Sequence, residues 1–269
     1  MARPIIAAED VYKSFGKIKA VNHINFEVYP GEIFAFLGPN GAGKSTTIKM
    51  LTTMLRPTGG KLELAGYDVT KQQAKVRQSL GIVFQDPSLD EELSAKENME
   101  LHAALYHVPR SEQAKRITEL LKLVGLQERR DSYIKTFSGG MRRRLEIARG
   151  LMHHPKVLFL DEPTLGLDTQ TRNVLWDYVK KLSKHEGMTI FFTTHYLDEA
   201  EEVAERIAII DHGKIVATGT VKELTKQTKT KTLEQAYLKL TGEDIRDETS
   251  DSFDGLNMKS AMRIRSLRG

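Results

Sequence analysis

The residues with the clearest chemical meaning lie between positions 38 and 46, where a glycine-rich stretch ends in Lys-Ser-Thr. The spacing fits G-x-x-x-x-G-K-[ST], a loop whose backbone N–H groups cradle phosphates. Glycine permits that close approach because it carries no Cβ. Lys44 can reach the β- and γ-phosphates of a nucleotide, and the Ser45 hydroxyl can hold Mg²⁺. The candidate phosphate-binding residues are Gly38, Pro39, Asn40, Gly41, Ala42, Gly43, Lys44, Ser45 and Thr46.

Two carboxylates, Asp161 and Glu162, follow the apolar run of residues 157–160. A continuous apolar run predicts a strand buried on both faces, and ligands of open α/β sheets bind at the carboxyl ends of such strands. Asp161 is therefore placed to hold Mg²⁺, and Glu162 to polarise a water for attack on the γ-phosphate. The alternative is that both acids only cap the turn at Pro163.

Two further side chains also end apolar runs. His195 follows residues 189–194, and Gln85 follows residues 82–84. Their positions suit the same sheet edge, but a lone histidine or glutamine at a strand end is more often structural.

A second helix start, at Ser138-Gly139-Gly140, could also bind an anion. Ser138 suits an N-cap, and the glycines expose backbone N–H groups at a positive helix end. Three arginines follow at 142–144, where they oppose the helix dipole. One nucleotide does not need two such sites on one chain, so we expect two copies to share it. The alternative is a capped helix with a solvated basic face.

The elements that must position these residues alternate between strand and helix. Helical spacing predicts a helix over 44–55, directly after an apolar strand at 33–37. Residues 5–28 and 61–69 are typical of short strands, and residues 86–152 of a helical insertion. Strands are predicted at 157–160, 189–194 and 207–210, with helices at 171–185 and 197–205. The fold class is therefore α/β: a parallel core with a helical insertion and a small β subdomain.

Composition narrows the function classes. The chain has 269 residues, 40% of them hydrophobic, a net charge of +4 and no cysteine. This charge is too small to indicate nucleic-acid binding, and thiol chemistry is excluded. Residues 1–10 lack the apolar core of a signal peptide, and no apolar run reaches the roughly 18 to 20 residues of a membrane span. Any membrane role then requires a partner or a surface contact.

The C-terminal region differs in character. Residues 222–231, rich in lysine and threonine, predict a mobile connection, and residues 233–240 one short amphipathic helix. Residues 241–269 form a charged tail that we expect to be flexible. The tail is either simply solvated or contacts a partner or anionic lipid head groups.

Taken in order, these segments resemble the ATP-binding subunit of an ABC transporter over roughly residues 5–219. The resemblance implies that residues 38–46 are the Walker A loop, that Asp161 is the Walker B aspartate and that Glu162 is the catalytic glutamate. It implies a P-loop NTPase (RecA-like) core with an antiparallel β subdomain and a helical (signature) subdomain. It places the ABC ATP-binding domain at residues 1–240, with the helical subdomain at about 86–152.

The same resemblance assigns roles to weaker candidates. Gln85 would contact Mg²⁺ or the attacking water, and Ser138, Gly139 and Gly140 would be the signature that covers ATP from the partner copy. Asp168 would link the two sites, and His195 would contact the γ-phosphate. Phe15 stands where the family stacks an aromatic ring on adenine. The family pattern has Leu and Gln where this chain has Phe137 and Met141, so Met141 replaces the polar side chain that the family directs toward the ribose.

A narrower resemblance is to the daunorubicin-resistance type of exporter ATPase, seen at residues 81–90, 137–150, 194–200 and 232–242. It implies an ATPase that uses ATP and Mg²⁺ and works as a homodimer with an integral ABC-2 type permease. It further implies a peripheral position at the cytoplasmic face of the cell membrane, export of a drug-like or lipid-like substrate, and no nucleic-acid partner. The alternative is a soluble ATP-driven switch on nucleic acid or ribosomes, although no second P-loop or sustained heptad supports it.

Overall fold

Two β-sheets organise the computed structural model, which describes residues 3–242 apart from the side chains of residues 185 and 186. The strands are β1 (Ile6–Phe15), β2 (Ile18–Val28), β3 (Ile33–Leu37), β4 (Gly59–Leu64), β5 (Tyr67–Asp68), β6 (Leu80–Val83), β7 (Val157–Asp161), β8 (Thr189–Thr194), β9 (Arg206–Asp211) and β10 (Lys214–Gly219). The helices are α1 (Lys44–Leu51), α2 (Gln73–Gln78), α3 (Ala95–Leu105), α4 (Arg110–Leu123), α5 (Gly139–Gly150), α6 (Thr169–Glu186), α7 (Leu197–Val203), α8 (Val221–Thr228) and α9 (Leu233–Thr241).

The larger sheet has the strand order β10-β9-β3-β8-β7-β6, and its five strands from β9 to β6 run parallel. The smaller sheet, β2-β1-β4-β5, is antiparallel. The predicted fold class is confirmed. Because β3, β7 and β8 are parallel neighbours or next neighbours, the residues after each strand meet at one edge of the sheet.

Alternation along β3 explains how the layers pack. Phe34 and Phe36 point into a core shared with the antiparallel sheet and α1, while Ala35 and Leu37 point into a core shared with α3 to α6. Every residue of β3, β7 and β8 is buried. This two-sided burial fixes the strand ends, and so fixes the residues that follow them.

Three expectations about local structure need correction. Residues 5–28 form two long strands rather than several short ones, because the β1–β2 register continues through its irregularities. Helix α1 ends at Leu51 rather than at residue 55, since Thr53 takes a left-handed φ of 65°.

The third correction concerns residues 222–231, predicted as a mobile connection. Most of this segment is helix α8, which begins at a capping box between Thr220 and Glu223 and buries Leu224. The cap and one buried leucine outweigh the polar composition. The tail prediction for 241–269 falls almost wholly outside the described residues.

Within residues 3–242, no helix combines the length and apolar character that a membrane crossing requires.

Candidate functional site

Strand β3 and helix α1 hold the glycine-rich loop between them. Lys44, the first residue of α1, is buried, and its ammonium donates to the carbonyl oxygens of Gly38 at 2.8 Å and Pro39 at 3.1 Å. A third partner is the Glu162 carboxylate, with Nζ to Oε1 at 3.1 Å. The lysine is thus folded back over the loop, with its charge at the mouth of the helix N-terminus, where an anion is favoured.

Neighbouring backbone braces the loop from outside. The Gly213 N–H donates to the Ala42 carbonyl at 3.0 Å, and the Asn22 N–H donates to the Gly213 carbonyl at 2.8 Å. A Cβ on Gly43 would lie 2.5 Å from the Ala20 carbonyl oxygen, and one on Gly38 would lie 2.3 Å from that of Ile210. Packing therefore requires glycine at both positions, in addition to the predicted approach of phosphate.

Asp161, the last residue of β7, lies beside Ser45 of α1. Its Oδ1 accepts hydrogen bonds from Thr193 Oγ1 at 2.6 Å and from Ser45 Oγ at 3.2 Å. Burial raises the pKa of the Asp161 carboxyl, and the two hydroxyl donors oppose that rise. Asp161 and Ser45, the predicted metal-binding pair, are in direct contact.

The next residue, Glu162, is buried and held from several sides. Its backbone φ is 45°, a left-handed value that is costly for a residue with a Cβ. The carboxylate contacts Lys44 through Oε1, and its Oε2 lies 3.3 Å from His195 Nδ1. The two residues predicted to be catalytic, Glu162 and His195, are thus brought together with Lys44.

The second glycine-rich helix start is built differently. The Ser138 hydroxyl caps α5 by accepting from the Met141 N–H at 3.3 Å, and Ser138 and Gly139 are exposed. Gly140 is buried, and a Cβ there would lie 2.2 Å from Thr171 Cγ2. Among residues 3–242, no hydrogen bond or ion pair joins this segment to the loop at 38–46.

Asp168 is the N-cap of α6. Its carboxylate accepts from the Thr171 N–H at 2.9 Å and from the Thr171 hydroxyl at 2.6 Å. Thr171 is the residue that packs on Gly140, so the predicted signature and the Asp168 turn are adjacent within one chain.

Two predicted residues lie apart from these contacts. Phe15, at the end of β1, is 41% exposed, with the Lys13 ammonium 5.0 Å from its ring centroid. Gln85 is exposed, two residues after the end of β6. Both side chains are exposed, as stacking on adenine or contact with water would require.

The sequence analysis missed residues that act on the site through others. Thr193 bonds Asp161 and also accepts from the Glu162 N–H at 3.0 Å. Gly213 braces the loop, and Arg143 donates to the carbonyls of Glu162 and Pro163. A threonine inside an apolar strand and an arginine at a helix start are weak signals, because their partners come from distant segments.

The chemistry that this arrangement supports is phosphoryl transfer to water. The loop and Lys44 suit a triphosphate, and Ser45 and Asp161 offer two adjacent oxygen ligands. Among the residues that the structure describes, no group of three or more His, Cys, Asp or Glu could hold a metal ion. The adjacent oxygens of Ser45 and Asp161 fit Mg²⁺, which uses one or two protein ligands together with substrate phosphates.

Comparison with known proteins places this geometry in a family. Residues 21–165 match the ABC transporter family. The chain is 44% identical over 220 residues to the linearmycin resistance ATP-binding protein of Bacillus subtilis, covering 82% of this chain and 70% of the relative. It is 45% identical over 219 residues to the daunorubicin/doxorubicin resistance ATP-binding protein of Streptomyces peucetius, covering 81% of this chain and 66% of the relative.

A solved structure shares the architecture. It is a dimeric, post-hydrolysis ATP-binding cassette bound to ADP and phosphate, 28% identical with a TM-score of 0.72, covering 80% of this chain and 98% of that one. The phosphate-binding loop, the paired carboxylates and these likenesses agree: the chain belongs to the ABC transporter family, as one of its ATP-hydrolysing, ATP-binding subunits.

Proposed function

We propose that this chain powers an exporter of drug-like or lipid-like molecules through a separate, integral ABC-2 type permease. Support comes from the relatives, both of which are named as resistance ATP-binding proteins. Such names do not favour the alternative of a switch on nucleic acid or ribosomes. The chain would lie peripherally at the cytoplasmic face of the cell membrane, held there by the permease.

The observation that carries the ATPase mechanism is the convergence of Lys44, Asp161, Glu162 and His195 at one sheet edge. Lys44 and the loop bind the β- and γ-phosphates, and Ser45 and Asp161 are the residues that would hold Mg²⁺. Bound Mg²⁺ supplies neutralisation of the phosphate charge. Phe15 stacks on adenine, since its ring is exposed at the end of β1.

Hydrolysis needs a base and a group that senses the γ-phosphate. Glu162 accepts a proton from the water that attacks the γ-phosphorus, while the bond from that phosphorus to the bridging oxygen breaks and ADP leaves. His195, 3.3 Å from Glu162, orients the carboxylate and contacts the γ-phosphate. Gln85 contacts the water or the metal from its exposed segment.

A second copy completes the site. Ser138 and Gly139 are exposed at a helix N-terminus, and Asp168 lies beside them through Thr171. In a homodimer, this end of α5, with residues 138–140, covers the γ-phosphate held by the other copy. The homodimer is supported by the related cassette, which is dimeric with ADP and phosphate bound.

The decisive test is Glu162→Gln. We expect the variant to bind ATP, to trap a dimer and to lose turnover by roughly 100- to 10,000-fold, the range of general base catalysis. Glu205→Gln, at an exposed position outside the site, is the control. Near-normal turnover of the Glu162 variant would overthrow the assignment.

The permease contact is proposed at residues 85–93. Asp86 is exposed there, and the chain has no cysteine, so Asp86→Cys gives a single cross-linking site. In membranes that contain the proposed permease, Asp86→Cys should cross-link to the permease. Lys71→Cys, in the antiparallel subdomain, should not. Equal capture from both positions would exclude this segment as the contact.

A further inference from the structure

Arg143, in the first turns of α5, is buried, although the mechanism above gives it no role. Its guanidinium donates from Nε to the Pro163 carbonyl at 2.7 Å and from Nη2 to the Glu162 carbonyl at 3.2 Å. Nη1 donates to the carbonyl of Phe84 and, at 3.0 Å, to the Glu146 carboxylate. One side chain therefore joins three segments of the chain that are distant in sequence.

The first consequence concerns the backbone of Glu162. Its N–H donates to Thr193 Oγ1, and its carbonyl accepts from Arg143, so the residue is bonded on both sides. The left-handed φ of 45° persists only where surrounding structure over-determines it. Arg143 shares the Glu162 carbonyl with the Leu165 N–H, which donates to it at 3.2 Å, and Arg143 also holds the next carbonyl along.

The second consequence concerns the segment around Gln85. Phe84, whose carbonyl Arg143 binds, directly precedes Gln85. Further along, Glu146 accepts from the Ser88 N–H at 2.7 Å, and Arg149 donates to the Ser88 carbonyl at 2.6 Å. The residues 143, 146 and 149 recur at intervals of three along α5, so one face of this helix holds both ends of residues 84–88.

We propose that Arg143 is a positioning residue that fixes Glu162 relative to the Gln85 segment and to the start of α5. The inference rests on the proposed catalytic role of Glu162. A displacement of residues 84–88 is therefore transmitted to the backbone of Glu162 through the rigid guanidinium of Arg143. Lysine cannot replace this function, because its ammonium lacks the planar fork that reaches carbonyls in several directions.

The test compares Arg143→Lys with Arg144→Lys. Arg144 is the matched control, since it is adjacent on the same helix but donates to the Val124 carbonyl and lies over the Tyr178 ring. For Arg143→Lys we expect kcat to fall roughly 10- to 100-fold, the effect of a misplaced catalytic group. The ATP dissociation constant should change less than about 2-fold, because the phosphate-binding loop is untouched.

A purely structural role predicts a different pattern. The melting temperature, kcat and ATP affinity would then fall together, or kcat would stay at the parent value, and either result would overturn the proposal. If Arg143→Lys does not fold, Arg143→Gln takes its place with the same expected separation of kcat from affinity. Glutamine keeps an amide donor, although the buried Glu146 carboxylate then loses its cation.

A double variant separates this inference from the proposed function. In the Glu162→Gln background, Arg143→Lys should reduce the residual turnover no further, because the group that it positions is already removed. If Glu162→Gln alone retains turnover, the proposed mechanism fails whatever Arg143 does. If Glu162→Gln is inactive and Arg143→Lys is normal, only the role of Arg143 is wrong.

Discussion

Helices α1 and α5 both begin at glycine-rich turns, yet the two turns are supported in opposite ways. At α1 no side chain caps the helix; buried Lys44 and backbone from residues 20–22 and 213 hold the loop. At α5 the cap is supplied by Ser138 itself, and Ser138 and Gly139 face outward.

This difference shows that two similar glycine-rich sequences can form candidate anion sites with different structural support. The α1 turn is enclosed by its own chain and has a cation in place. The α5 turn is satisfied locally and offers its remaining donors at the surface, where only another molecule can use them. The predictions below test this contrast, from the largest expected effect to the smallest.

Lys44→Ala should have the largest effect. It removes the cation from the α1 turn, so we expect ATP affinity to fall at least about 100-fold, or about 2.8 kcal/mol. It also leaves buried Glu162 without its ion-pair partner, which should lower stability. Isothermal titration with ATP measures the first effect. Lys49→Ala, one turn further along α1, is the control, and equal losses in both variants would contradict a specific role for Lys44.

Gly140→Ala and Gly139→Ala test the buried and the exposed part of the α5 turn separately. A Cβ on Gly140 meets Thr171 Cγ2 at 2.2 Å, whereas one on Gly139 meets only Leu167 Cδ2 at 3.7 Å. We expect thermal denaturation to show about 1–3 kcal/mol of destabilisation for Gly140→Ala and little for Gly139→Ala. Thr171→Ser removes the clashing methyl and keeps the hydroxyl for Asp168, so it should restore stability to Gly140→Ala. Failure of that rescue would count against the packing explanation.

Ser138→Asp tests whether the exposed part of the α5 turn contacts ATP on the partner copy, in addition to capping its own helix. Aspartate caps a helix as well as serine does, so the melting temperature should stay within about 2 °C of the parent, whereas Ser138→Ala should lose about 1 kcal/mol. If the partner's γ-phosphate lies there, the added negative charge should reduce ATPase activity and ATP-induced dimerisation strongly. Unchanged activity in Ser138→Asp would separate this helix end from the ATP site.

Asp161→Asn tests the enclosed α1 site through the pH dependence of the protein's stability. Burial raises the folded-state pKa of the Asp161 carboxyl above its ordinary 3.8. The folded protein then binds this proton more tightly than the unfolded chain, so stability falls as the pH rises through the folded pKa. At pH 7.5 the asparagine variant should therefore melt at a higher temperature than the parent, and the difference in melting temperature should narrow as the pH falls toward 3.8. Asp86→Asn, at an exposed position outside the site, is the control. A difference between Asp161→Asn and the parent that does not change with pH would contradict the assignment.

Much of this site could be predicted from sequence because its signals are local. The loop at 38–46 and the carboxylates after β7 depend on contiguous residue types and on two-sided burial of a short strand, both visible in one segment. The start of α5 is equally local, since Ser138 caps its own helix. Parallel strand ends then bring Lys44, Glu162 and His195 together without further information.

What sequence reasoning missed depends on contacts between distant segments. The role of Thr193 requires knowing that β8 pairs with β7 in the register that sets Thr193 opposite Asp161. Gly140 could be assigned only to phosphate, because nothing local indicates that Thr171 packs on it. Helix α8 was mistaken for a connection because its lysines outnumber the single leucine whose burial anchors it.

The brace formed by Asn22, Gly213 and Ala42 has a thermodynamic consequence. A loop that is already held in shape by its neighbours loses little conformational freedom when a ligand enters, so ordering the backbone opposes ATP binding only weakly. The loop already lost this conformational entropy when the chain folded. Affinity for ATP should therefore respond to changes in the β9–β10 hairpin, at residues that no nucleotide atom would touch.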